Sequence, residues 1–114
     1  MKVLIKRAYE APAASDGTRV LVDRLWPRGL TKDAARIDAW LKEVAPSTAL
    51  RRWFGHEPAK FDEFRRRYRK ELQGRAAWEQ LEALARSGTL TLVYSARDEQ
   101  HNNAVVLRQL LEEQ

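Results

Sequence analysis

Apolar positions along this chain follow two rhythms. In three places they cluster or alternate over a few residues: Val3-Leu4-Ile5 within 2–7, Val20-Leu21-Val22 within 18–23, and Leu90, Leu92 and Val93 within 89–94. These segments read as strands, the last most clearly. Elsewhere the apolar positions recur at spacings of three and four, the mark of a helix face. Phe61, Phe64, Tyr68 and Leu72 form one such face. Trp78, Leu81, Leu84 and Ala85 form a second, and Val105 or Val106 with Leu107, Leu110 and Leu111 a third.

Turn and cap residues divide these segments. Pro12, Ser15, Asp16 and Gly17 mark 8–17 as a loop. Thr31 is placed to cap a short helix through Ala35. Trp40, Leu41 and Val44 fit either a helix face or a strand over 37–44. A strand is preferred there, because a short helix between two strands completes a βαβ unit. Ser47 or Thr48 caps a helix running to Gly55, Pro58 opens the next, and Gly74 and Ser87-Gly88 close the two that follow. Residues 95–103 are a polar loop, and a last helix starts at Ala104. The pattern predicts one α/β domain over residues 1–114, with a small, largely parallel sheet of about four strands flanked by helices.

Composition narrows the chemistry. The sequence has no cysteine, which excludes disulfides, thiolate nucleophiles and Cys-ligated metal. Together with an opening apolar run too short for a signal sequence, it predicts a cytoplasmic location. No apolar run approaches membrane-spanning length, so no membrane partner is expected. With 21 Lys+Arg against 16 Asp+Glu, the formal charge of +5 favours anionic partners. His56 and His101 lack metal-ligand spacing with any carboxylate, so neither a metal nor another cofactor is expected.

The candidate chemistry sits in two loops. The strand ending at Val22 delivers Asp23, Arg24, Trp26 and Arg28 to a turn broken by Pro27 and Gly29. The strand ending at Tyr94 delivers Arg97, Asp98, His101, Asn102 and Asn103, then opens into the last helix. If the two strands are parallel neighbours, both loops lie at one sheet edge, where ligands gather in open α/β sheets. Arg24, Arg28 and Arg97 would hold an anion, helped by the helix N-terminus with Asn102 or Asn103 as its cap. Asp23, Asp98 and His101 are the acid–base candidates, Trp26 a stacking surface, and His56 a second ligand-binding histidine. Each residue also has a plainer reading. Asp23 serves as an ion-pair partner for a nearby arginine, Trp26 as a lid on the core, and His56 as a helix-end group.

The chain also resembles the YeaO-like family, a bacterial family described only as a domain of unknown function. The residues that carry the resemblance are Val22-Asp-Arg-Leu-Trp-Pro-Arg-Gly29, Ala45-Pro-Ser47, Trp53-Phe-Gly-His56, Phe64-Arg-Arg-Arg-Tyr68, Tyr94-Ser-Ala-Arg-Asp98 and His101-Asn-Asn-Ala104. They span nearly the whole chain. The resemblance implies a small cytoplasmic α/β protein and no particular activity. A related branch carries Asp-Val-Arg and Pro after the equivalent strand, and Cys-His-Arg near the last helix. Asp23-Arg24 and Pro27 are similar to the first element. His101-Asn102-Asn103 stands about where the second would be, without its cysteine.

Three readings of function remain open. In the first, the two loops bind a small phosphate or carboxylate ligand, as a binder or as an enzyme on a phosphorylated metabolite or nucleotide. The second is a nucleic-acid module using the 65–70 helix face, Arg-Arg-Arg-Tyr-Arg-Lys, with Trp26 or Trp53 stacking on bases. That face has its own plain reading as a solvated surface with Asp62–Arg66, Glu63–Arg67 and Arg67–Glu71 pairs. The third is a homodimeric interaction domain with a Trp-rich interface.

Overall fold

The computed structural model describes residues 1–114. Four parallel strands form the sheet: β1 (Val3–Arg7), β2 (Thr18–Leu21), β3 (Ala39–Trp40) and β4 (Leu90–Tyr94), in the order β1-β4-β2-β3. β4 therefore lies inside the sheet, paired with β1 on one side and β2 on the other. All five of its residues are buried. That explains why four of its five residues are apolar, with Thr91 buried among them and donating to the Asp16 carbonyl.

Five helices accompany the sheet: α1 (Lys32–Ala35), α2 (Thr48–Phe54), α3 (Phe61–Leu72), α4 (Ala76–Ser87) and α5 (Asn103–Glu112). Val20, Val22, Leu90, Leu92 and Tyr94 of the sheet side belong to one core with Phe64, Tyr68, Leu72, Leu81, Leu107 and Leu111 of the helices. The spacing of those helical residues puts each on the buried face. Thr31 caps α1 by accepting from the Ala34 amide at 3.1 Å, and Ser47 caps α2 by accepting from the Leu50 amide at 3.1 Å. The strand expected over 37–44 is only Ala39–Trp40, followed by a 3-10 turn over Lys42–Val44. The turn intervenes because Val44 and Ala45 leave the sheet to bury themselves against the helices.

The opposite sheet face is covered by loops and by the end of α1, whose Ala35 and Arg36 carbonyls accept from Arg19, and it contains a buried ion pair. The connection from β1 to β2 must pass over β4, and it does so through a 3-10 turn at Ala14–Asp16. Asp16 and Arg19 are 4% and 3% exposed, and the Arg19 guanidinium donates to the Asp16 carboxylate at 2.7 Å. Lys6 adds a second cation at 3.1 Å, and the Ala13 amide donates at 3.0 Å. Burial pushes the Asp16 carboxyl up, but Ala13, Lys6 and Arg19 together outweigh it and leave the group below its ordinary range. Gly17 follows at φ +63°, and a Cβ there would lie 2.3 Å from the Thr89 carbonyl oxygen. Only glycine lets the crossover approach β4 that closely.

Removing one member of a buried pair leaves the other charge uncompensated. Asp16→Asn is expected to destabilise the fold by about 3–5 kcal/mol in urea unfolding. A loss within about 0.5 kcal/mol, the ordinary range for a surface substitution, contradicts this account of the loop-covered face.

Candidate functional site

The chain leaves β2 and β4 side by side, since the two strands are parallel neighbours. Just beyond them, Asp23 clasps the two exits together. Its Oδ2 accepts from the Ser95 amide at 2.9 Å and the Ser95 hydroxyl at 2.8 Å. Its Oδ1 accepts from the Asn103 side-chain amide at 3.1 Å, which also donates to the Val22 carbonyl at 3.0 Å. The Asp23 carbonyl takes the Trp40 indole N–H at 2.7 Å. One residue thus joins the ends of β2 and β4, the start of α5 and the side chain of β3.

A cleft of about 800 Å³ opens beside this clasp. From the β2 loop it is lined by Arg24, Leu25, Trp26, Pro27 and Arg28, and from the β4 loop by Ser95, Ala96, His101, Asn102 and Asn103. The third wall comes from α2 and its flanks: Pro46, Thr48, Arg51, Arg52, Phe54 and His56. Four lining residues are arginines, and Asp23 is the sole lining carboxylate. Asp23 accepts only from the neutral donors of Ser95 and Asn103, which do not offset its charge, and the wall is cationic because four arginines outnumber it. Arg28, Arg51 and Arg52 form no ion pair. Arg24 reaches Glu43 only at 3.8 Å, and its buried Nε has no partner.

The wall is held from behind. The Ser47 amide and hydroxyl donate to Glu71 at 2.9 and 2.5 Å, fixing the start of α2 on α3. Arg75 donates to the carbonyls of Glu43 and Ala45 at 3.1 and 3.0 Å. The buried Tyr68 hydroxyl donates to the Val44 carbonyl. Burial pushes that phenol well above its ordinary range, so the hydroxyl keeps its proton.

Of the residues expected from sequence, Asp23, Arg24, Trp26, Arg28, His56, His101, Asn102 and Asn103 all line this cleft. Their positions differ in kind. Asp23 is a hydrogen-bonded clasp, paired with Ser95 and Asn103 rather than with an arginine. Trp26 donates to the Leu30 carbonyl at 2.6 Å and meets Trp40 edge-on at 5.5 Å, so its ring is fixed rather than free. Asn102 caps α5, accepting from Val105 at 3.0 Å. His56 is exposed at φ +57°, just past the Gly55 end of α2.

Asp98 and Arg97 stand outside the lining. Asp98 turns back on its own loop, accepting from the amides of Gln100 and His101 at 2.9 and 3.0 Å. It also meets His101 Nδ1 at 2.9 Å, which leaves Nε2 as the free ring nitrogen. Phe61 meets that ring edge-on at 5.2 Å. Arg97 is exposed at the loop tip and does not join Arg24 and Arg28. Arg7 holds the Ser95 and Ala96 carbonyls at 3.4 and 3.0 Å, and the chain turns outward after them.

Sequence reasoning missed Arg51 and Arg52, the cationic wall of α2. Their signal was two arginines between Leu50 and Trp53, off the apolar face and one turn before His56.

The basic run of α3 is largely self-neutralised. Arg65 pairs with Asp62 at 3.2 Å, Arg66 and Arg67 with Glu63 at 2.7 and 2.9 Å, and Arg69 with Glu113 at 2.9 Å. Arg66 first, then Arg67, hold the Glu63 carboxyl down to about 2. Of the expected pairs only Glu63–Arg67 forms. Asp62 is taken by Arg65 one position nearer, and Glu71 is drawn to Ser47 and to Arg75 at 3.6 Å. Trp53 is covered by Arg67 at 4.1 Å and Lys60 at 5.1 Å from its ring centre.

The comparisons agree along the whole chain. A sequence model of the family described as the inactive DUF488-N3 subclade matches residues 2–114. An uncharacterized protein of Mycobacterium tuberculosis is 46% identical over 110 residues, covering 96% of this chain and 93% of its own. A Mycobacterium bovis protein shows the same identity and coverage. The uncharacterized protein YeaO of Escherichia coli is 44% identical over 108 residues, covering 94% of each chain. No solved structure matches significantly.

Two outcomes test this geometry. Asp23→Ala strands its donors and is expected to cost about 2–3 kcal/mol in urea unfolding, because hydrogen bonds to a charged group carry that much. A neutral result removes the clasp. The Asp98 carboxyl is held below the ordinary 3.8, by the Gln100 amide first and then by the His101 side chain. A depressed folded value means its stabilisation is full above 3.8 and is lost as pH falls through the folded value. A carbon-13 titration of Asp98 should give a midpoint below 3.8, and one at or above it contradicts the assigned contacts.

Proposed function

This chain belongs to the inactive DUF488-N3 subclade, and on that premise we propose that it is a non-catalytic binder of a small anion, phosphate or carboxylate, in the cleft beside Asp23. One observation carries the reading: Arg24, Arg28, Arg51 and Arg52 line a cleft whose one carboxylate is already hydrogen-bonded. Arginine forks match the geometry of either head group, and a concave wall strengthens their pull on it.

The description of the subclade as inactive favours binding over turnover. So does the committed state of the acid–base candidates. Asp23 is engaged in structure and Asp98 in holding a loop, which leaves His101 Nε2 and the exposed His56 as the acid–base groups at the cleft, with no carboxylate free to work beside them. His101 then serves as a ligand contact. The paired arginines of α3 and the covered Trp53 weigh against the nucleic-acid reading.

Isothermal titration with inorganic phosphate tests the proposal. Arg24→Ala and Arg51→Ala are each expected to weaken binding by about tenfold or more, the loss typical of a charge-assisted hydrogen bond. Arg66→Glu on α3 is expected to leave it unchanged. Full affinity in both cleft variants, or loss only in the α3 variant, contradicts the assignment.

A further inference from the structure

Resting on the reading of the cleft as an anion site, we infer that its ligand is amphipathic, an anionic head carrying an apolar ring or chain, of the class of an aryl or alkyl phosphate ester or carboxylate. Only three large hydrophobic side chains are exposed on the molecule: Met1, Tyr9 and Leu25. Two of them, Tyr9 and Leu25, line this one cleft. A lone exposed leucine is ordinary, but apolar side chains gathered at the rim of a cavity mark a surface that something covers.

The two belong to one lip. The Tyr9 hydroxyl donates to the Arg28 carbonyl at 3.0 Å, tying the end of β1 to the Leu25–Arg28 turn. Leu25 is 69% exposed and lies between Arg24 and Asp23-anchored backbone on one side and Trp26 on the other. The Trp26 ring is fixed by Leu30 and Trp40, so it offers a preformed apolar wall. Deeper in, Phe54 and Phe64 stack at 4.3 Å and reach the same cavity.

The cleft therefore pairs arginines with apolar surface. Free phosphate would satisfy the guanidinium groups and leave that surface wet. A substituted anion would cover both, gaining apolar burial with the charge contact. The volume agrees. At about 800 Å³ the cleft is far larger than an inorganic ion requires and falls within the range of small-molecule sites.

Matched titrations on the intact protein test this: inorganic phosphate against phenyl phosphate, and acetate against benzoate. In at least one pair the aryl anion is expected to bind about tenfold tighter than its bare head. Leu25→Ser and, separately, Tyr9→Ser should each narrow that ratio. Both positions are exposed, and a circular-dichroism melt verifies that each variant folds. Equal affinities within both pairs overturn the inference while leaving the anion site standing. A ratio that survives both substitutions also overturns it. If no anion binds at all, the anion reading falls and this inference falls with it.

Discussion

The arrangement depends on one carboxylate. Asp23 stands two positions beyond β2 and collects donors from Ser95 and Asn103 across the sheet edge. Parallel strands separate at their carboxyl ends, because nothing in the ladder holds the chains once pairing stops. The Asp23 clasp keeps them together for one more residue, then releases Arg24–Gly29 to one side and Ala96–Asn102 to the other. The cleft is the space left between them. A carboxylate used in this way is committed to structure, and the cleft wall is net positive because four arginines line it against this one acid.

That wall depends on a second set of contacts. α2 carries Arg51 and Arg52, and its position is set by Glu71 at its cap and by Arg75 on the preceding carbonyls. Glu71 and Arg75 belong to the end of α3 and the start of α4, far along the chain from the cleft loops. Four of the five basic residues in the 65–70 run of α3 are ion-paired, three within its first turns and Arg69 to Glu113 just past α5. Arg28, Arg51 and Arg52 are left without an ion pair at the sheet edge, although the basic run of α3 is the denser cluster in sequence.

The elements were legible where local physics decided them. β4 is legible as a short segment rich in apolar and β-branched residues because it is buried on both faces. Thr31 and Ser47 act as caps because their hydroxyls reach the third amide onward. The pairing of the two cleft loops followed once their strands were read as parallel neighbours. Other features needed the tertiary fold. Arg19 looks like a surface residue in an alternating strand, yet it is buried by a crossover loop whose path is not local. Arg97 looked like a partner for Arg24, but Arg7 holds the preceding carbonyls and the side chain stands in solvent. Arg51 and Arg52 were hidden because the docking of α2 depends on Glu71 and Arg75.

The central claim is that an anion sits beside the Asp23 clasp and between the β2 loop and α2. Amide chemical shifts recorded while inorganic phosphate is added test it most directly. The account predicts saturable shifts concentrated on Arg24–Arg28, Arg51–Arg52 and His101–Ala104, with the α3 amides of Arg65–Lys70 unmoved. Shifts centred on α3, or spread evenly over the surface without saturation, would contradict it.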